Sequence, residues 1–155
     1  MKKLFLLFTL ILSLGIVGCS SKESKIKDIS VEDIKNIINN EETLQIQPIL
    51  DLDAKEFYAF EDIKDSIKEG FVLQSMINVK LQDVFVIKTN DTENIKSAIE
   101  DYKENSLNLF EGGYGGDENA TSVSNSILKS KGDYVYFIAA PNASDIESKI
   151  LDIIK

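Results

Sequence analysis

The sequence predicts an α+β domain: two β-hairpins forming an antiparallel sheet with helices packed on one face, in the order β-β-α-β-β-α after an N-terminal helical segment. Three observations carry this expectation. Phe71 to Lys80 and Val84 to Thr89 are rich in β-branched and aromatic residues and lie only three residues apart. A second such pair, Ser122 to Ser130 and Asp133 to Ala139, meets at Lys131-Gly132. After each pair comes an amphipathic stretch at helical spacing, opened by capping residues.

The elements follow in order. Ser30-Val31-Glu32-Asp33 has the form of a capping box, and Ile34, Ile37 and Ile38 continue it at helical spacing until Asn39-Asn40. Leu44 to Leu52 alternates as an extended segment interrupted by Pro48. Asp53-Ala54-Lys55-Glu56 repeats the capping pattern, with Phe57, Phe60, Ile63 and Ile67 inward, in one bent helix or two short ones ending at Gly70. The first hairpin turns at Leu81-Gln82-Asp83. Asn90-Asp91 opens the next helix, whose apolar stripe is Ile95, Ala98, Ile99, Tyr102, Leu109 and Phe110. Glu111 to Ala120 reads as a glycine-rich loop, with Gly112, Gly113, Tyr114, Gly115 and Gly116 as the candidate contact residues. Pro141 ends the second hairpin, and Ser144-Asp145-Ile146-Glu147 caps a last helix carrying Ile146, Ile150, Leu151, Ile153 and Ile154.

Ahead of this domain stands a segment of another kind. Lys2 and Lys3 precede an apolar run from Leu4 to Val17, shorter than the roughly 20 residues a spanning helix needs. It ends in Ile16-Val17-Gly18-Cys19, which resembles the lipobox of bacterial lipoproteins: a small residue exposes the bond to a peptidase, and a thiol accepts diacylglyceryl as a thioether. Residues 1–18 are therefore expected to be a lipoprotein signal peptide cut between Gly18 and Cys19. Residues 19–28 are expected to be the lipidated Cys19 with a polar tether, and 29–155 a single domain. As a flexible coil the tether would span about 15–20 Å. The expected location is the extracytoplasmic face of the cell membrane, held there through lipid on Cys19.

Cys19 is the sole cysteine, so stability must come from packing rather than from disulfides. Without Lys2 and Lys3, 15 lysines face 26 carboxylates, a balance of −11, and the chain has no Arg, His or Trp. That surface disfavours nucleic acid.

Met76-Ile77-Asn78-Val79, Val84-Phe85-Val86-Ile87-Lys88, the amphipathic helix and Lys131-Gly132-Asp133-Tyr134-Val135 together resemble the family called domain of unknown function 4358. The resemblance runs from about Asp51 to the C-terminus. It implies a lipoprotein of a Gram-positive, largely clostridial type, with no assigned activity and no functional residues to carry over. The sequence departs from the family pattern at Glu111 to Asn119, where glycines replace an expected helical or Tyr-Pro segment.

Few residues point to chemistry. A phosphate-binding loop needs Gly-Lys-Ser/Thr before a helix, whereas Gly116 is followed by Asp117-Glu118, whose charges repel phosphate. Ser126 and Lys129 match the S-x-x-K pattern, but in a strand they point to opposite faces and the partner motifs are missing. Asp51, Asp53 and Glu56, and then Glu61, Asp62 and Asp65, lack the spacing of a calcium loop. Tyr134 and Tyr136 should share one sheet face and Phe137 the other. No catalytic, cofactor-binding or metal-ligating residue is assigned, and no cofactor is expected. The sequence favours a non-catalytic module that binds an envelope protein or polymer. An accessory envelope hydrolase working through carboxylates is the alternative.

Overall fold

The computed structural model describes residues 26–155, so Gly18 and Cys19 lie outside the described residues. Helix α1 (Val31–Ile38) starts where the sequence predicts. Ser30 is extended, its hydroxyl accepts the Asp33 N–H at 3.1 Å, and Val31, Ile34 and Ile38 are buried. The strands are β1 (Ile49–Asp53), β2 (Ile67–Ser75), β3 (Asp83–Thr89), β4 (Ile127–Lys131) and β5 (Tyr134–Ala139). They form one antiparallel sheet in the order β1-β2-β3-β5-β4. The α+β class and the antiparallel sheet are as the sequence predicts, with one further strand: Ile49 to Asp53, beyond Pro48, pairs with β2 as an edge.

Helices cover both faces of the sheet rather than one. The reason lies in the three central strands, whose alternate positions are apolar in both phases. Phe71, Leu73, Val84, Val86, Tyr134, Tyr136 and Ile138 face α1 and the last helix, α5 (Ala143–Ile154). Val72, Phe85, Ile87, Val135 and Phe137 face the opposite layer. That layer holds two 3-10 segments (Ala54–Glu56 and Tyr58–Ser66) and the helices α2 (Thr92–Ser106), α3 (Asn108–Glu111) and α4 (Asp117–Ser124). Tyr134 and Tyr136 thus share one face and Phe137 takes the other, all three buried.

Local differences from the expectation have local causes. The predicted helix from Asp53 breaks into 3-10 turns around Phe57, which is extended (φ −76°, ψ 127°) so that its ring and that of Phe60 reach Phe85. Residues Ser122 to Ser124, expected to begin a strand, belong to α4, which starts after the left-handed Gly116 and buries Asn119, Ser122 and Val123. Met76 to Lys80 leaves the sheet instead of extending β2. The last helix caps at Asn142, not through a Ser144 box; Glu147 bonds Tyr136 and Lys129 instead.

The described chain joins the domain from Ile26 onward. The Lys27 N–H donates to the Ile154 carbonyl at 3.1 Å, and the Ile29 N–H donates to the Tyr134 hydroxyl at 2.8 Å. Lys88 pairs with Asp28 and with Glu69. These contacts gather at the end of the sheet where β3 finishes and β4 turns into β5. The seven residues of β3 place that end about 20 Å from the end carrying Asp83.

Candidate functional site

At the Asp83 end, the loop between β2 and β3 meets the glycine-rich loop between α3 and α4. Asn119, buried in α4, joins them. Its Oδ1 accepts the Leu81 N–H at 3.0 Å, while its Nδ2 donates to the Val79 carbonyl at 3.0 Å and the Tyr114 carbonyl at 2.9 Å. Both ends of the Asn119 amide and the three backbone groups they meet are therefore within one satisfied cluster. Gly115 permits the approach: it has φ +76°, and a Cβ there would stand 2.3 Å from the Val79 carbonyl oxygen.

Among the described residues, this end also carries most of the large apolar side chains left exposed. Met76, Ile77 and Val79 stand on the β2–β3 loop, Leu109 and Tyr114 on the α3 side, and Leu50 and Tyr58 on the flank. The Phe110 and Tyr114 rings lie 5.7 Å apart. Of the predicted contact residues, Tyr114 is 41% exposed and the four glycines shape the backbone that holds it.

Beneath the apolar rim is a cleft of about 300 Å³, lined by Tyr58, Ile77, Tyr102, Leu107 and Phe110 together with the buried Asp83. Asp83 accepts the Tyr102 hydroxyl at 2.6 Å and the Gln74 amide at 3.1 Å. The same amide nitrogen donates to the Tyr102 oxygen at 2.9 Å. Burial pushes the Asp83 carboxyl up to about 6, against the opposing pull of the two hydrogen bonds. Tyr102 is likewise pushed upward by burial, and further by the Asp83 charge beside it. Among the described residues no lysine stands within ion-pair distance of Asp83; Lys80, which also lines the cleft, pairs with Glu118 at 3.1 Å.

The sequence puts Asp83 in a turn and Tyr102 on an apolar stripe, and no local pattern brings them together. The available signal was phase: Asp83 stands two residues before Phe85 and four before Ile87, so it points to the same covered face. The other sequence candidates do not converge. Lys129 pairs with Glu147 on the far edge of the sheet from β1, while Ser126 lies just before β4. Asp51 pairs with Lys35, Asp53 caps a 3-10 turn, and Glu61 pairs with Lys64. Among the described residues no three acidic groups converge as a metal site, and no helix is long and apolar enough to cross a membrane.

The family model described as "Domain of unknown function (DUF4358)" matches residues 40–140. The matched stretch begins before Asp51 and stops short of α5. It takes in all five strands and the whole of the cleft. No curated protein and no solved structure matches the chain.

Proposed function

The chain belongs to the DUF4358 family, and from that premise we propose that it is a lipid-anchored, non-catalytic interaction module of the cell envelope. The reading is supported first by the apolar run and the Gly18-Cys19 pair at the N-terminus, which suit export, cleavage and acylation. Two acyl chains on one thiol would hold the protein to a bilayer without help from the acidic domain.

The observation that carries the interaction half is the cluster of exposed apolar side chains at the Asp83 end. Exposed apolar groups gathered at one place, rather than scattered, are typical of contact surfaces. The chain enters the domain at the opposite end of the sheet, where Ile26 packs against Gly132. An anchor at Cys19 would therefore join the domain at the end opposite the apolar cluster. The cleft there is lined by a single carboxylate, whereas hydrolysis by paired carboxylates needs two groups about 5–10 Å apart. At this cleft, binding is favoured over hydrolysis by paired carboxylates.

The test combines metabolic fatty-acid labelling with photocrosslinking in intact cells. Cys19→Ala should lose the label and leave the membrane fraction. A photoreactive residue at Tyr114 or Met76 should give a discrete adduct that the same residue at Lys68, at the other end of the sheet, does not give. Persistent labelling of the alanine variant overturns the anchor. Equal adducts from both ends overturn the contact surface.

A further inference from the structure

The cleft at Asp83 has a chemistry more specific than a greasy surface. A carboxylate offers about four lone-pair positions, and the two Asp83 oxygens use one each, on the neutral donors Tyr102 and Gln74. What remains is acceptor capacity beside an aromatic-walled recess whose own lysine, Lys80, is paired with Glu118 instead. At about 300 Å³ the recess stands at the small end of ligand pockets, the size for one inserted side chain.

We propose that this cleft seats a lysine side chain presented by a polypeptide partner, with its methylenes along Tyr58, Ile77 and Phe110 and its ammonium against Asp83. The inference deepens the contact-surface reading above and rests on it. A compact ammonium can use whichever acceptor positions are left. A guanidinium fork wants two parallel free ones, and here each oxygen is already engaged. Aromatic faces add attraction for a cation that has shed its water. A polypeptide source follows from the shoulder around the mouth: Met76, Val79, Leu109 and Tyr114 offer more apolar area than a free amine could cover. Anionic lipid is disfavoured by Glu111, Asp117 and Glu118 beside the loop, and a second copy would bring the same excess of carboxylates.

The test is an NMR titration of the full chain in detergent micelles, reading the Asp83 carboxyl carbon and the Ile77 and Leu81 amides. The probe is Nα-acetyl-lysine methylamide, and the comparison is Nα-acetyl-norleucine methylamide, which keeps the chain and lacks the ammonium. The lysine compound should give saturable shifts that the norleucine compound does not. Asp83→Asn, which keeps the side-chain shape, should raise its Kd about tenfold or more. Tyr58→Ala removes an exposed wall and should weaken binding several-fold, so the test stands even if Asp83→Asn fails to fold. Equal binding of the two compounds, an unchanged Kd in both variants, or the absence of a saturable shift overturns the proposal. The probe needs neither anchor nor partner. A negative titration with Tyr114 adducts intact therefore removes the lysine seat alone.

Discussion

Asn119 accepts the backbone N–H of Leu81 at 3.0 Å, across 38 residues of sequence. Through that bond, and those to Val79 and Tyr114, one buried side chain holds together two loops that share no strand pairing. Asn119→Ala would strand the Leu81 donor and two carbonyls in a largely buried place. Each such group costs about 1–3 kcal/mol when left unpaired, though the carbonyls can recover water at the rim. Urea denaturation should show a loss of about 2–3 kcal/mol, with unchanged slope if the rest of the fold persists.

Gly115 and Gly113 give a paired prediction. Both are left-handed, with φ +76° and +93°. An alanine Cβ at Gly115 would stand 2.2 Å from Asn119 Nδ2 and 2.3 Å from the Val79 oxygen; at Gly113 it would meet nothing within 4 Å. Gly113→Ala should therefore cost only the backbone strain, about 1–2 kcal/mol. Gly115→Ala should cost more, and should also shift the Leu81 amide resonance because the Asn119 junction must open. Equal losses in the two variants would show that the loops are not held by this close approach.

Those glycines show where the sequence was legible and where it was not. Regular alternation and capping are local properties, so β3, β5, α1 and α2 could be read directly, with Ser30 and Asp91 as their caps. The sequence did not show that α4 would form. Asp117 to Ser124 has no strong apolar stripe, and its helix is fixed by tertiary contacts, chiefly Asn119 reaching the β2–β3 loop. The second helical layer was missed for a related reason. Phe85 and Phe137 were legible as strand residues, but only the packing of Phe57, Phe60 and Tyr102 on them reveals that their face is covered. The glycine-rich loop is legible from its glycines and tyrosine. The cleft beside it is not, because Gln74, Asp83 and Tyr102 come from three separate elements.

Asp83 makes stability depend on pH in a direction opposite to the usual carboxylate. Its folded value of about 6 lies above its ordinary 3.8, so the folded state binds this proton more tightly than the unfolded chain. Stability from this group is therefore gained as pH falls from about 6 toward 4, and the cost of burying its charge is fully present at pH 7. That cost is on the order of 2–3 kcal/mol. Glu147, whose carboxyl is held low chiefly by its bonds to Lys129 and Tyr136, works the other way. The comparison that isolates Asp83 is thus wild type against Asp83→Asn. The variant's stability relative to wild type should be greatest at pH 7 and should decline by about that amount on the way to pH 4. A difference that stays flat across the interval would show that Asp83 is not titrating in the folded protein.

Tyr134 ties the segment that leads into the domain to the core. Its ring lies in the core with α1 and α5, while its hydroxyl accepts the Ile29 N–H at 2.8 Å and donates to the Ile29 carbonyl. Lys88 sits 5.4 Å from the ring centroid and pairs with Asp28, which closes the segment over the same spot. Tyr134→Phe keeps the ring, the packing and the face offered to Lys88, and removes only the hydroxyl. Global stability should fall by about 1 kcal/mol, the ordinary net value of such a bond. The larger effect should be local: faster hydrogen exchange at the Ile29 amide and faster proteolytic cutting after Lys27, with protection of the β3 and β5 amides unchanged. If Ile29 keeps its protection, the Lys27 bond to Ile154 and the packing of Ile26 on Gly132 suffice to hold the segment. The folded body would then start at Ile26 whatever happens at Tyr134. If protection is lost, the hydroxyl sets how much chain separates the domain from Cys19.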